Sequence, residues 1–589
     1  MNKHLKTIIG LVALLVVSSC ATIGSSSQSS TPSSSSAPSS SHVPGGDDHD
    51  FEVLGTTSAT IIENGKITYK CSVCDYTKTE DYLYALDQCA FVNQTFVYDG
   101  KPHTLMVQGL IPTAVTIEYE NNVLTEIGQK QAKAYYYDPD HKLLKEEKAF
   151  IKVTPNDGFP NIYVNTRGIE IDEEDKESYT PMALTVSNCP EQYILNGVEG
   201  GIRVRGNGSL TYEKKGYRIK FDDKRIMLGL NDEAKAKSWV LLAEYSDQSM
   251  LRNSAAFYLG GALLNYSNNY ASSYQHINLY INNEYKGVYL LAEQQQANKQ
   301  RIDVKEPEDN YKGTDVGYLL ELDNYANQED NYFSAGSFLN TLNGVILWPK
   351  DYTIKSDIFD RAQKEYIEKY IKNVYSIFFS AIAENKFFIL DKNLELITSP
   401  YLTAFDTLNS LIDMESLFKM YLLHEVMKNI DVGYSSFFMF VDFSKDSKYP
   451  RLTFGAPWDF DWSSGNVDVE TASSPDGNFG STAYDAFKFN PWFYMLANAS
   501  FFNETMTKYY RVFDHSNVIN KLLANLTYET NAFVTEFDRN YHRWANLGTI
   551  VPKFTPKIAT TFKTHKDAAN HLIDWLTDRK AYLDSVYLV

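Results

Sequence analysis

Two aspartates one residue apart, closing a β-rich hairpin that itself follows a helix, constrain this chain more than any other feature. The segment Met427–Gly465 reads MKNIDVGYSSFFMFVDFSKDSKYPRLTFGAPWDFDWSSG. Leading into it, Leu417, Met420, Tyr421 and Val426 recur at helical spacing, and the pattern stops at Asp431, before Gly433. Two β-rich runs follow, Ser436–Phe443 and Arg451–Phe460, joined across the turn-forming SKDSKYP. The second run delivers Asp459 and Asp461. Residues i and i+2 of an extended strand share a face, so both carboxylates are expected in one cleft with Phe460 packed behind them. If the hairpin folds back beside the helix end, Asp431 joins them. Hard oxygen donors of this kind suit Mg²⁺, which takes one or two carboxylates and completes its shell with phosphates. A plainer reading has each Asp capping a turn or bonding backbone amides, and spacing alone leaves both open.

The chain around this segment divides by composition. Residues 1–20 read as an export signal, with Lys3 and Lys6 ahead of the apolar run Thr7–Val17. The closing VSSC looks like a bacterial lipobox, which makes Cys20 the expected lipidated residue on the outer face of a bacterial cell membrane. Elsewhere the sequence has no apolar run of the ~20 residues that span a bilayer, so the expectation is an anchored protein rather than a spanning one. Residues 21–50, rich in Ser, form an expected disordered tether. With Lys+Arg 55 against Asp+Glu 74 the net charge is −19, which argues against a nucleic-acid partner.

Residues 51–155 carry short strand-like runs at Lys66–Lys70, Thr95–Tyr98, Thr104–Val107, Thr113–Glu120, Ala132–Tyr137 and Ala149–Val153, a pattern that predicts a small sandwich. Cys71 and Cys74 make one CxxC pair, with Cys89 and Cys189 alone and only His103 nearby; a zinc site needs four ligands. FVYDGKPHTLMVQGL resembles the YDG-type immunoglobulin-like modules of bacterial surface proteins, which implies a spacing or adhesive role. Thr154–Pro160 reads as a linker.

Beyond it lies a predicted α+β domain, residues 160–589, β-rich over 160–350 and helical over 351–589. Its key hairpin is GIRVRGNGSLTYEKKGYRIKF. Ile202 and Val204 oppose Arg203 and Arg205 on one strand; Tyr217, Ile219 and Phe221 oppose Arg218 and Lys220 on the other. A basic ribbon closed by Gly206-Asn207-Gly208-Ser209 has the parts of a phosphate cradle, backbone access and countercharge, although such alternation also describes an ordinary solvent face. Aromatic residues at helical spacing, Phe359 to Phe378, read as core packing. The polar stretch Asn466–Ser481 is expected to be a flexible lid.

Four ordered motifs, RGNGS…YRIKF, LLAEYSDQSMLRN, YKGVYLLAEQ and PWDFDWSSG, resemble the spore-coat CotH kinase family over residues 160–589. The resemblance implies an atypical two-lobed protein-kinase-like fold that binds ATP with Mg²⁺ and phosphorylates surface or secreted proteins. It makes Asp431 the base or orienting residue for the acceptor hydroxyl and gives the metal to Asp459 and Asp461. Lys220, with Arg218 as alternative, becomes the phosphate contact; Arg205 and Asn207 support the loop, and Glu293 is a hinge or charge partner. The metal-binding Asn that kinase catalytic loops carry five residues after the base is Ser436 here. A surface adhesin or assembly scaffold using the same fold without turnover is the competing expectation.

Overall fold

The computed structural model describes residues 51–588 except 58–64, 73, 75, 84–85, 87–88, 99, 110, 112–114, 155–157, 265–268, 482–488 and 552–554. The expectations for the export signal, for Cys20 and for the tether lie outside the described residues, as does part of the expected linker. At the N-terminal end Phe51–Thr57, Gly65–Cys71 and Thr77–Leu83 form a three-stranded sheet.

Alternation in the basic hairpin is what lets a barrel close around it. Leu195–Arg205 and Gly216–Arg225 pair antiparallel with Ile202 opposite Ile219 and Val204 opposite Tyr217, which puts every apolar side chain on one face. That face turns inward. Seven strands close in the order Asn161–Asn165, Thr180–Ser187, Leu195–Arg205, Gly216–Arg225, Ala236–Leu242, Glu284–Glu293, Tyr274–Ile281. A parallel pairing of Asn161–Asn165 with Tyr274–Ile281 completes the ring and leaves no open edge. Ile162, Leu184, Ile202, Ile219, Trp239, Ile277 and Leu291 fill the interior. The last two strands are joined through Asn282 and Asn283, at φ 50° and 68°, the paired left-handed positions of a tight hairpin turn.

The barrel's outer face supplies a second apolar surface. Val240, Leu242, Leu290 and Ala292 pack with Phe257, Leu319, Phe438, Phe440 and Trp458. Several of these come from a five-stranded sheet in the order Tyr332–Ala335, Lys350–Ile354, Gly317–Leu322, Phe437–Asp442, Thr453–Phe454. It draws strands from both sides of residue 350, so the β-rich and helical parts share a sheet. The expected hairpin run Arg451–Phe460 is extended only at Thr453–Phe454. Behind the sheet lie Arg361–Ala383, Met414–Met427, Pro491–Ala497, Phe502–His515, Val518–Ala532, Val534–Arg543 and His565–Tyr587. Arg361–Ala383 opens on a capping box of Asp360 and Gln363. The lead-in helix before Asp431 starts where Asp413 caps Met414–Met427, after the separate short helix Ala404–Asn409 ends. The chain is thus α+β, β-rich first and more helical toward its C-terminus.

Within residues 94–154, Gln94–Val97, Leu143–Thr154, Gly128–Tyr137 and Thr116–Glu120 form a four-stranded sheet; Thr104–Val107, expected as a strand, is not one. This sheet's loops rest on the helix Arg252–Leu264. The Tyr258 hydroxyl donates to the Asn93 carbonyl at 2.6 Å. A Cβ at Gly261 would lie 2.8 Å from Asn93 Nδ2, and one at Gly260 would lie 2.7 Å from Pro457 Cγ. Two adjacent glycines therefore let one helix be pressed from both sides.

Candidate active site

The helix Met414–Met427 stops where Lys428 turns left-handed, φ 48°. Asn429 then ties two loops together. Its side-chain oxygen accepts the Asp431 amide at 3.1 Å while its Nδ2 donates to the Asp459 carbonyl at 2.9 Å. Asp431 sits half-buried at the start of a one-turn helix, Ile430–Gly433, and the Lys350 ammonium donates to the Gly433 carbonyl at 2.7 Å.

Asp459 is not on an extended strand. Its φ is 63°, a left-handed conformation that Asp tolerates better than most residues, so the i, i+2 argument does not place its side chain. The turn instead drives Phe460 into the core, where it stacks on His424 at 5.0 Å. The Ser436 hydroxyl, itself at φ 61°, donates to Asp459 Oδ2 at 3.3 Å. Asp461 accepts the Ser246 hydroxyl on Oδ2 at 2.9 Å and the Asn253 amide on Oδ1. Burial, followed by the charges of Asp459 and Asp247, pushes the Asp461 carboxyl up to about 7. Burial also raises Asp459, against the pull of Arg205.

What holds this loop is the segment Glu244–Asn253. Asp247 and Arg252 form a buried ion pair, and the Arg252 guanidinium donates to the carbonyls of Ser463 and Ser464 at 3.0 and 3.1 Å. Asn253 accepts the Phe460 amide at 2.7 Å; Asn466 donates to the carbonyls of Ser246 and Asp461 at 3.0 and 2.8 Å. Below Ser436, Glu321 accepts that residue's amide at 3.1 Å and pairs with Lys355 at 2.9 Å, while Asp323 accepts the Ser435 hydroxyl at 2.9 Å.

The Arg205 guanidinium lies over Trp458, 5.6 Å from the ring centroid. Burial lowers its pKa, and the charges of Asp459, Asp461 and Glu321 oppose that shift. Burial raises the Tyr212 phenol, and the charges of Asp461, Asp459 and Asp431 add to that shift. Among the described residues no three His, Cys, Asp or Glu side chains stand close enough to hold a metal ion by themselves.

The family model described as CotH kinase protein matches residues 202–583, well over half of the chain. The chain belongs to the CotH kinase family. No curated protein matches it. The match begins at the basic hairpin and ends in the last helix, so it takes in both the barrel wall that carries Arg205 and the loops that carry the aspartates.

In this CotH-family chain Asn429 ties Asp431 to the Asp459 loop, Ser436 bonds Asp459, and the charges of Asp459 and Asp461 act on Arg205. The structure places Lys220 on the exposed barrel wall, 6.0 Å from the Tyr179 ring, and Arg218 half-buried beside Arg203. Asn207 is exposed and accepts the Lys176 ammonium at 2.9 Å. Glu293 is a buried charge partner, 3.1 Å from Arg301 and also bonded to Asn231 at 2.9 Å. The stretch expected as a lid is pinned instead. Glu425 accepts the amides of Phe479 and Gly480 at 2.8 and 2.7 Å, and Arg579 donates to the carbonyls of Pro475 and Gly477, both at 2.8 Å. Glu244, Ser246, Glu321 and Tyr212 were given no role from sequence. Their only sequence signal is that they stand inside or beside the family-like motifs.

Proposed function

We propose that this chain is an ATP- and Mg²⁺-dependent protein kinase with a two-lobed kinase-like domain, lipid-anchored through Cys20 and acting on surface or secreted proteins. The observation that carries the reading is the half-buried pair Asp459 and Asp461, tied through Asn429 to Asp431 and faced by Arg205.

The donor set fits the ion. Asp459 and Asp461 are hard oxygen donors, each with only one or two hydrogen-bonding partners named above, and two such carboxylates with phosphate oxygens make a Mg²⁺ shell. When bound there, Mg²⁺ would neutralise charge on the phosphates. The Ser436 hydroxyl keeps Asp459 oriented in place of the amide that kinase loops use. Arg205, already desolvated, suits phosphate oxygens as a fork of donors. Asp431, half-buried in the turn Ile430–Gly433, takes the proton of the acceptor hydroxyl. That oxygen bonds to the γ-phosphorus, and the electron pair of the broken P–O bond leaves with ADP. Positioning and charge carry most of such a transfer.

The family match supports the class of reaction; the lipobox and the Ser-rich stretch support the location. The test is transfer of label from γ-labelled ATP with Mg²⁺, to the protein itself and to a surface-protein extract, beside Asp431→Asn and Asp459→Asn. Transfer by the parent and its loss in both variants is expected. No transfer, together with no heat of nucleotide binding, would replace this reading with the adhesin or scaffold.

A further inference from the structure

Residues 331–349 carry no charge, in a chain of which 22% is Asp, Glu, Lys or Arg. Within that run Thr341–Leu342 pairs antiparallel with Val345–Ile346, closed by Asn343 and Gly344 at φ 48° and 81°. The hairpin is seated firmly. Leu342 and Leu347 are buried in the main core, the Leu347 amide donates to the Asn340 carbonyl at 2.8 Å, and the Asn343 side chain donates to Asn498 at 2.6 Å. Its other side is bare. Leu339 is 91% exposed, Phe338 63%, Trp348 44% and Ile346 41%, and the Phe338 and Trp348 rings meet edge to face at 5.3 Å. Of the seven tryptophans four are buried and two half-buried; Trp348 alone is exposed. Four outward apolar side chains on an ordered hairpin, with no charge among them, mark a surface that gains by leaving water.

We propose that this hairpin docks on the surface of a phospholipid bilayer, with Phe338, Leu339, Ile346 and Trp348 set at the depth of the headgroups. An indole suits that depth, where its ring meets acyl chains and its N–H meets water. The uncharged run lets these side chains enter without drawing an ion out of water. The length of chain ahead of the structure favours this occupant. Ser-rich residues 21–50 separate Cys20 from the first strand, Phe51–Thr57, and a Ser-rich linker of that length holds its ends roughly 30 Å apart on average. A chain anchored at Cys20 therefore meets the bilayer at high effective concentration, and a weak apolar contact is enough to keep it there. This inference rests on the proposed lipid anchor at Cys20 and not on the kinase reading. Because Lys350, two residues beyond Trp348, bonds the Gly433 carbonyl, docking also carries the Asp431 turn toward the membrane.

The test takes the full chain, expressed through its own export signal, extracted from membranes and reconstituted on phosphatidylcholine vesicles, plain or brominated near the top of the acyl chains. Bromine quenches only an indole that touches the lipid. Emission of the wild type should drop in brominated vesicles by the amount that Trp348→Phe removes in plain ones, and Trp348→Phe itself should show no drop. Leu339→Asp keeps Trp348 but should abolish the drop, while an unchanged melting temperature shows that the variant is folded. Flotation with the vesicles reports the anchor separately. A chain that does not float, yet is quenched when vesicles are in excess, would uphold the hairpin contact and remove the anchor at Cys20. Equal emission of the wild type in plain and brominated vesicles, floating or in excess lipid, would overturn the proposal. Equal emission joined to a dimer that Leu339→Asp dissolves would give the face to a second copy instead.

Discussion

Glu425 and Asp461 are both acids withdrawn from water next to the same polar loop, and the chain treats them in opposite ways. Glu425 is closed on itself. Its carboxylate takes two backbone amides and the Arg579 guanidinium at 2.8 Å, and Arg579 spends its other donors on the Glu425 carbonyl and on the loop carbonyls of Pro475 and Gly477. Asp461 receives a hydroxyl and an amide, faces Asp459 and Glu244, and is left with a raised pKa. A buried charge whose lone pairs are filled from within holds structure together. One set beside like charges stores an imbalance that only a cation or a proton relieves.

Breaking the closed acid should cost the most. Arg579→Ala leaves Glu425 buried and unpaired, and a loss of about 3–5 kcal/mol in urea unfolding is expected. A loss below about 1 kcal/mol would show that this pair does not pin the loop. At the open end the variants should separate function from stability. Asp459→Asn is expected to reduce phosphate transfer at least ~100-fold, on the scale of losing one preorganised group at a transition state. Its urea midpoint should stay near that of the parent, since Asn also tolerates the left-handed turn; a midpoint that collapses would make Asp459 structural.

The proton sharpens the contrast further. With its carboxyl raised from 3.8 to about 7, folded Asp461 binds a proton that the unfolded chain releases between those values. The contribution of Asp461 to the stability of the metal-free protein should therefore be fully present below pH 4, fall as pH rises toward 7 and level off above it. Asp461→Asn should flatten that part of the pH dependence between pH 4 and 8, measured in chelator; an unchanged slope would contradict the shift. The smallest effect is expected from Ser246→Ala. Removing one donor from the ionised form raises the carboxyl further, so Mg²⁺ affinity should drop a few-fold at pH 7 and less at pH 8.5, by calorimetry. An identical drop at both pH values would mean that the hydroxyl acts on geometry alone.

How much of this was readable in the sequence depended on the range of the interaction. The helix before Asp431 was visible because Leu417, Met420 and Tyr421 repeat at its own period. The faces of the basic hairpin were visible for the same reason, since Ile202 and Arg203 alternate locally. Closure of the barrel was not, because Asn161–Asn165 pairs with Tyr274–Ile281 more than a hundred residues away and nothing local names that partner. At the site, the acids could be picked out but not their setting. The left-handed turn at Asp459 has no glycine to announce it. Asn253 bonds the loop from over two hundred residues upstream, so its role exists only after folding. The lid expectation failed because polarity was taken for mobility, when Glu425 and Arg579 reach the loop from separate helices.

The paired glycines at 260 and 261 carry a consequence for anyone who would shorten this chain. One flank of their helix bears on Pro457, two residues before Asp459, and the other on Asn93 in the accessory sheet. A cut near residue 160, the natural place to trim a spacer, would take away the backing of the rod that carries Asn253. A replacement front module would have to offer a carbonyl where Asn93 does.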